Sequence, residues 1–207
     1  MEKSNWYPKA VLAAALAILC GSLYFSRDRF TWILEVFPIL IGMPILIITY
    51  KRFQFTNWTY SFLLLHSLIL ATGGVYTYAE VPLGYWMQEW FGFARNHYDR
   101  LGHFAQGFIP ALLTRELIIR TSPLKQGRWL TFSVLSICVA ISAFYELIEA
   151  GTAISMGATA DSFLGSQGDI WDAQWDMFFA TIGAATYLAF FARFQDRFIK
   201  AITEKKA

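Results

Sequence analysis

Charge is what this sequence has least of. Only 15% of its 207 residues are Asp, Glu, Lys or Arg, against about 25% in soluble domains, so the chain cannot clothe a water-facing surface of ordinary composition. No basic run or stripe stands out, which leaves no electrostatic footprint for nucleic acid. Cysteine is nearly absent: Cys20 and Cys138 each lie inside an apolar segment with no Cys or His at ligand spacing. Both read as packing residues, and neither a disulfide framework nor a zinc knuckle is supported. Also missing are a phosphate-cradling glycine loop, a Gly-x-Ser-x-Gly elbow, a His-Glu-x-x-His pair and a cysteine nucleophile beside a histidine. Ser162 and Ser166, near Asp161, are loop residues with no sign of activation.

What is present is apolar and aromatic: 56% hydrophobic residues, with 19 Phe, 10 Tyr and 8 Trp. A helix needs about 20 mostly apolar residues to cross the hydrocarbon core. Six segments qualify, at 10–26, 30–50, 56–79, 101–119, 129–150 and 171–194. The expectation is an all-α, polytopic membrane helix bundle with six transmembrane helices, forming a single integral membrane domain over 1–207. Ala15-Leu16-Ala17 and the Leu19-Cys20 pair only faintly suggest processing sites, and the first segment reads as retained. Thirteen of the seventeen basic residues fall on one set of flanks; the other holds Arg27, Arg29, Arg95 and Arg100. That excess marks the first side, with both termini, as cytoplasmic. Eleven of the fifteen carboxylates lie toward the opposite side, a bias that topology alone does not require.

The first segment reads as a plain anchor. The second contains Glu35, Pro38 and Pro44, which predicts a kink; Glu35 reads as snorkelling to the outer interface near Arg27 or Arg29, with a role in a site as the alternative. His66 falls near mid-membrane as an interhelical hydrogen-bonder, and Gly73-Gly74 permits a break or a close helix contact. Residues 80–95, rich in Tyr, Trp and Phe, read as an interfacial aromatic segment. The loop 120–128 closes a hairpin, and the basic segment 193–206 is assigned to the anionic inner leaflet.

Three places carry the ionisable residues. Asp99 and His103 are four apart and share a helix face beside Gly102; the fifth segment ends on Tyr145, Glu146 and Glu149; the sixth begins with Asp169, Asp172 and Asp176. Helical rise brings all three sets to one depth. Clustered carboxylates repel unless a cation or proton intervenes. A divalent metal is one solution: oxygen donors favour Mg²⁺, Ca²⁺ or Mn²⁺, and a histidine brings Fe²⁺ or Zn²⁺ into range. An acid/base pair sharing a proton is a second, and pairing with Arg95 or Arg100 a third. Asp169 is the most cap-like of its three acids. The candidate catalytic set is Asp99, His103, Glu146, Asp172 and Asp176, with Glu149 added as a candidate metal ligand.

The elements Asp99-Arg100-Leu101-Gly102-His103-Phe104, Tyr145-Glu146-Leu147-Ile148-Glu149 and Gly168-Asp169-Ile170-Trp171-Asp172 with Asp176 resemble the YjdF group of bacterial inner-membrane proteins, a family of unknown function. The resemblance covers nearly the whole chain and implies a multi-pass protein of the bacterial cell inner membrane. A more distant likeness, over the second half only, is to the VanZ-like membrane proteins, whose Asp-Lys-x-x-His-Phe element, later Glu and Asp-x-x-x-Asn segment are similar to Asp99–His103, Glu146 and Asp172; Asp176 stands where that family has Asn. Three functions remain open at this point. They are a membrane-embedded, metal-dependent enzyme acting at the outer face on a lipid or lipid-linked intermediate, a transporter or cation/proton pathway through His66 and Glu35, and a structural membrane protein.

Overall fold

The architecture is taken from a computed structural model and described for residues 6–156 and 166–204; Asp161 and Ser162 lie outside the described residues. The elements are α1 (Trp6–Phe25), α2 (Arg29–Glu35), α3 (Phe37–Thr49), α4 (Asn57–Tyr76), α5 (Pro82–Phe91), α6 (Tyr98–Thr121), α7 (Arg128–Met156) and α8 (Asp172–Thr186). A π-helical turn, Tyr187–Phe191, joins α8 to α9 (Ala192–Glu204). No strand occurs among the described residues. Among the described residues, four helical runs are long and apolar enough to cross a membrane: α1, α4, α7 and the run from α8 through α9. The α2–α3 pair, bent by 52°, makes a fifth if counted as one span.

The bend has a local cause. Pro38 cannot donate the N–H that would reach the Leu34 carbonyl one turn back, and the helix breaks at Val36. The Tyr145 hydroxyl from α7 donates to that Leu34 carbonyl at 3.3 Å, so the break becomes a tie between helices. By contrast, α4 runs unbroken through Gly73 and Gly74. A Cβ at Gly73 would overlap the Tyr78 ring, and one at Gly74 would crowd Trp32. These glycines serve close approach.

The centre of the bundle is α6. It is 24 residues long, yet Asp99, Arg100, Arg115, Glu116 and Arg120 keep it out of the apolar set. Its charges are tolerated because its neighbours cover them. Its tightest partner is α8: a Cβ at Gly107 would fall 1.7 Å from the Ala180 carbonyl oxygen, and one at Gly183 would fall 2.0 Å from that of Phe104. Two backbones in direct contact fix the register. The pair runs parallel, since His103 faces Asp176 near one end and Arg115 donates to Gln195 at 3.0 Å near the other.

Toward the C-terminal end of α6 lies a polar network. Glu116 is fully buried and accepts from Thr56 N at 2.8 Å, Thr56 Oγ1 at 2.9 Å, Thr59 Oγ1 and Arg120. Arg115 also donates to Asp196 at 2.6 Å, and Gln195 Nε2 donates to the Leu112 carbonyl at 2.9 Å. The segment assigned to the leaflet surface therefore keeps one face, with Gln195 and Ile199 buried, against the bundle. Residues 82–91 form a short helix whose Tyr85, Trp86, Trp90 and Phe91 are exposed. Cys138 is buried in the core between α6, α7 and α8, while Cys20 is exposed on α1.

Candidate functional site

The parallel crossing of α6 and α8 sets His103 one turn above Gly107 and Asp176 one turn above Ala180. His103 Nε2 lies 3.4 Å from Asp99 Oδ1 and 3.9 Å from Asp176 Oδ1. On the other ring edge, Nδ1 lies 3.8 Å from Glu146 Oε1 of α7. Tyr145 packs edge-on against the imidazole, with ring centroids 6.1 Å apart. Asp99, His103, Glu146 and Asp176 are 7%, 4%, 9% and 1% exposed, so these groups meet in the interior.

The distances matter because most exceed hydrogen-bond length. Asp99 Oδ2, His103 Nδ1, Glu146 Oε1 and Asp176 Oδ1 are buried atoms with no hydrogen-bond partner. Leaving such atoms unpaired costs about 1–3 kcal/mol each, more for charged groups. One ligand atom each from Asp99, His103 and Asp176 can be chosen so that all lie within 4.8 Å of one another. A cation with bonds of about 2.0–2.4 Å can touch atoms so spaced.

The remaining acids divide. Asp172 is buried, but its Oδ1 accepts from Arg95 Nη1 at 3.1 Å. Asp169 caps the turn into α8, its Oδ1 accepting from Trp171 N at 3.0 Å, while its Oδ2 accepts from Arg100 Nη2 at 3.0 Å and Arg95 Nη1 at 3.4 Å. Arginine pairing therefore accounts for these two acids and leaves Asp176 out. Glu149 is half-buried and lies within Coulombic reach of Glu146, Asp99 and His103.

The family model described as "Predicted membrane protein (DUF2238)" matches residues 7–197, nearly the whole chain. The chain belongs to this family. It is 48% identical over 172 residues to Inner membrane protein YjdF of Escherichia coli (strain K12), covering 83% of this chain and 82% of the relative. No solved structure matches the chain. The apolar helices and the family together make this a multi-pass inner-membrane protein, and every residue of the acidic cluster lies within the matched range.

Glu35 is the residue that sequence reasoning placed elsewhere. It does not snorkel: it is 3% exposed, and Asp99 and His103 are its charged neighbours. Arg27, its expected partner, instead pairs with Glu80 at 2.6 Å. The signal that could have found it was Pro38, three residues on, which breaks the helix just after Glu35. His66 lies apart from the cluster. It lines an apolar cavity of about 270 Å³ between α1, α3 and α4, and its Nε2 has no hydrogen-bond partner.

Proposed function

We propose that this protein is a membrane-embedded, divalent-metal-dependent enzyme that acts at the outer face of the inner membrane on a lipid or lipid-linked envelope intermediate. The observation that carries the reading is the convergence of four buried, unpartnered polar atoms from Asp99, His103, Glu146 and Asp176. In a membrane interior such a group is a functional site by default, and a cation beside the Nε2 edge of His103 would satisfy the carboxylates of Asp99 and Asp176 together. Asp99, Asp176 and the Nε2 edge of His103 are the ligands in this reading. Glu146, on the Nδ1 edge, then orients the imidazole, as carboxylates commonly do behind a metal-bound histidine. Glu35, Glu149 and Asp172 surround the centre as candidates for moving protons.

The orientation belongs to this proposal. The bundle crosses six times, with α6 as a crossing whose charges are covered by its neighbours, and both termini are cytoplasmic because thirteen of the seventeen basic residues then lie inside. The cluster, at the N-terminal ends of α6 and α8, then opens toward the outer leaflet.

The test is metal content. The protein purified in detergent without chelator is expected to hold about one divalent ion per chain, and Asp99→Asn with Asp176→Asn is expected to remove it while the gel-filtration profile stays unchanged. Equal metal in both proteins, or none in either, ends the metal reading. Proteoliposome cation or proton flux that disappears in the same double variant would favour a conduction pathway in its place.

A further inference from the structure

We propose that the rim of this site is a seat for a phosphate ester carried on a lipid, gripped by Arg100 and Arg95 with His97 beside them. The inference rests on the metal-dependent reading and deepens it by naming the substrate's reactive group. One oxygen of Asp169 sits between two guanidinium groups, 3.0 Å from Arg100 Nη2 and 3.4 Å from Arg95 Nη1. That is the position an oxyanion takes in an arginine clamp. The Asp169 side chain is 24% exposed, more than Arg95 at 14%, Arg100 at 18% or Asp172 at 10%. It is the rim group that an incoming anion displaces most readily.

From His97 to Arg100, unsatisfied donors and acceptors lie close together in sequence. Arg100 Nε and His97 Nδ1 are buried at the rim without hydrogen-bond partners. At the same end of α6 and α8, Asp99 Oδ2 and Asp176 Oδ1 are buried acceptors in the same condition. A metal-bound phosphate would complement both sets, with its cation against the carboxylates and its oxygens against the guanidinium. The Arg100 guanidinium also lies 5.4 Å from the Trp175 ring centroid and 5.8 Å from that of Phe179, which fixes the fork. The carrier is argued from the neighbouring surface. Ile170, Trp171, Trp175 and Phe178 are 86%, 60%, 43% and 50% exposed, an apolar approach suited to a hydrocarbon tail beside the phosphate.

The experiment measures binding of inorganic phosphate and of dioleoyl phosphatidic acid in detergent to the Mn²⁺-loaded full chain. It compares the wild type with Arg100→Gln, Arg100→Lys and Asp169→Asn. Wild type is expected to bind phosphatidic acid more tightly than inorganic phosphate, and only with Mn²⁺ present. Arg100→Gln should weaken binding about 10- to 100-fold, with Arg100→Lys in between, because a charged hydrogen-bond partner is lost. Asp169→Asn should bind several-fold more tightly, since its amide still caps the turn but no longer competes for the arginines. A misfolded variant cannot mimic these opposite signs. Mn²⁺ retained with no phosphate binding, Arg100 variants that match the wild type, or weaker binding by Asp169→Asn overturns the seat while leaving the metal reading intact. Equal affinity for the two probes removes the lipid part of the proposal. Failure to retain Mn²⁺ at all removes the metal reading, and the seat with it.

Discussion

Replacing Gly107 by alanine adds one methyl group at the point where α6 and α8 touch. Its Cβ would lie 1.7 Å from the Ala180 carbonyl oxygen, 2.5 Å from the carbonyl carbon and 2.8 Å from Cα, all backbone atoms with no rotamer to change. Reaching an ordinary contact of 3.4 Å requires the helices to part by about 1.7 Å or to rotate, and such overpacking costs about 3 kcal/mol. For a chain of this size that lowers the melting temperature by about 6–12 °C. Asp176 is one turn from Ala180 and moves with it. A metal site tolerates about 0.2 Å in ligand position, so Mn²⁺ affinity should fall by about 100-fold or more. The assay is thermal unfolding of the detergent-purified protein with and without Mn²⁺, alongside a metal titration. Gly21→Ala is the control: nothing lies within 4 Å of its added Cβ, and stability should hold or rise slightly. A Gly107→Ala protein that melts within about 2 °C of the wild type and binds metal equally well would refute both the crossing and its link to the site.

Two further predictions separate stability from function. Glu116→Ala strands Thr56, Thr59 and Arg120 in the interior and should cost about 3–5 kcal/mol. At a temperature where the variant remains folded its metal content should equal that of the wild type, and a drop below about 1 kcal/mol would show that water satisfies the network. Asp28 caps α2 by accepting from Phe30 N at 3.0 Å and from Thr31 Oγ1 at 2.7 Å, and the Thr31 hydroxyl holds its carboxyl below the ordinary value of 3.8. Because the folded value is the lower one, the stabilisation is complete above the ordinary value and fades as pH falls through the folded one. The deficit of Asp28→Ala against the wild type, about 1 kcal/mol, should be constant from pH 5 to 8 and shrink toward pH 3 in parallel melts; a gap that widens on acidification would contradict it.

The site was legible where its logic is local. Asp99/His103 and Asp172/Asp176 share faces by helical spacing, and hydropathy finds the helices that carry them. Which acids meet is a tertiary matter, decided where Gly107 admits the Ala180 backbone. That contact aims Asp176 at His103, while Asp172, one turn earlier, falls to Arg95. Arg115 and Glu116 have partners about 60–80 residues away, at Thr56, Thr59, Gln195 and Asp196. No local pattern announces such partners. Glu35 shows the same limit: Pro38 announces a break, but only the direction of the bend turns the carboxylate inward.

Both ends of α6 carry buried charge, and the contrast between them is the strongest argument for function. At the C-terminal end Glu116 accepts from Thr56 N, two threonine hydroxyls and Arg120, and Arg115 has Gln195 and Asp196. This fold can therefore satisfy buried ions on the same helix when stability alone is at stake. At the N-terminal end it supplies carboxylates to carboxylates and leaves Asp99, Glu146, Asp176 and His103 each with an unpartnered atom. Aligning like charges in the interior opposes folding, and threonines or an arginine in these positions would relieve it as they do four turns below. A sequence that places these acids together, and spends Gly107 and Gly183 on the helix contact beside them, is what the proposed cation site requires.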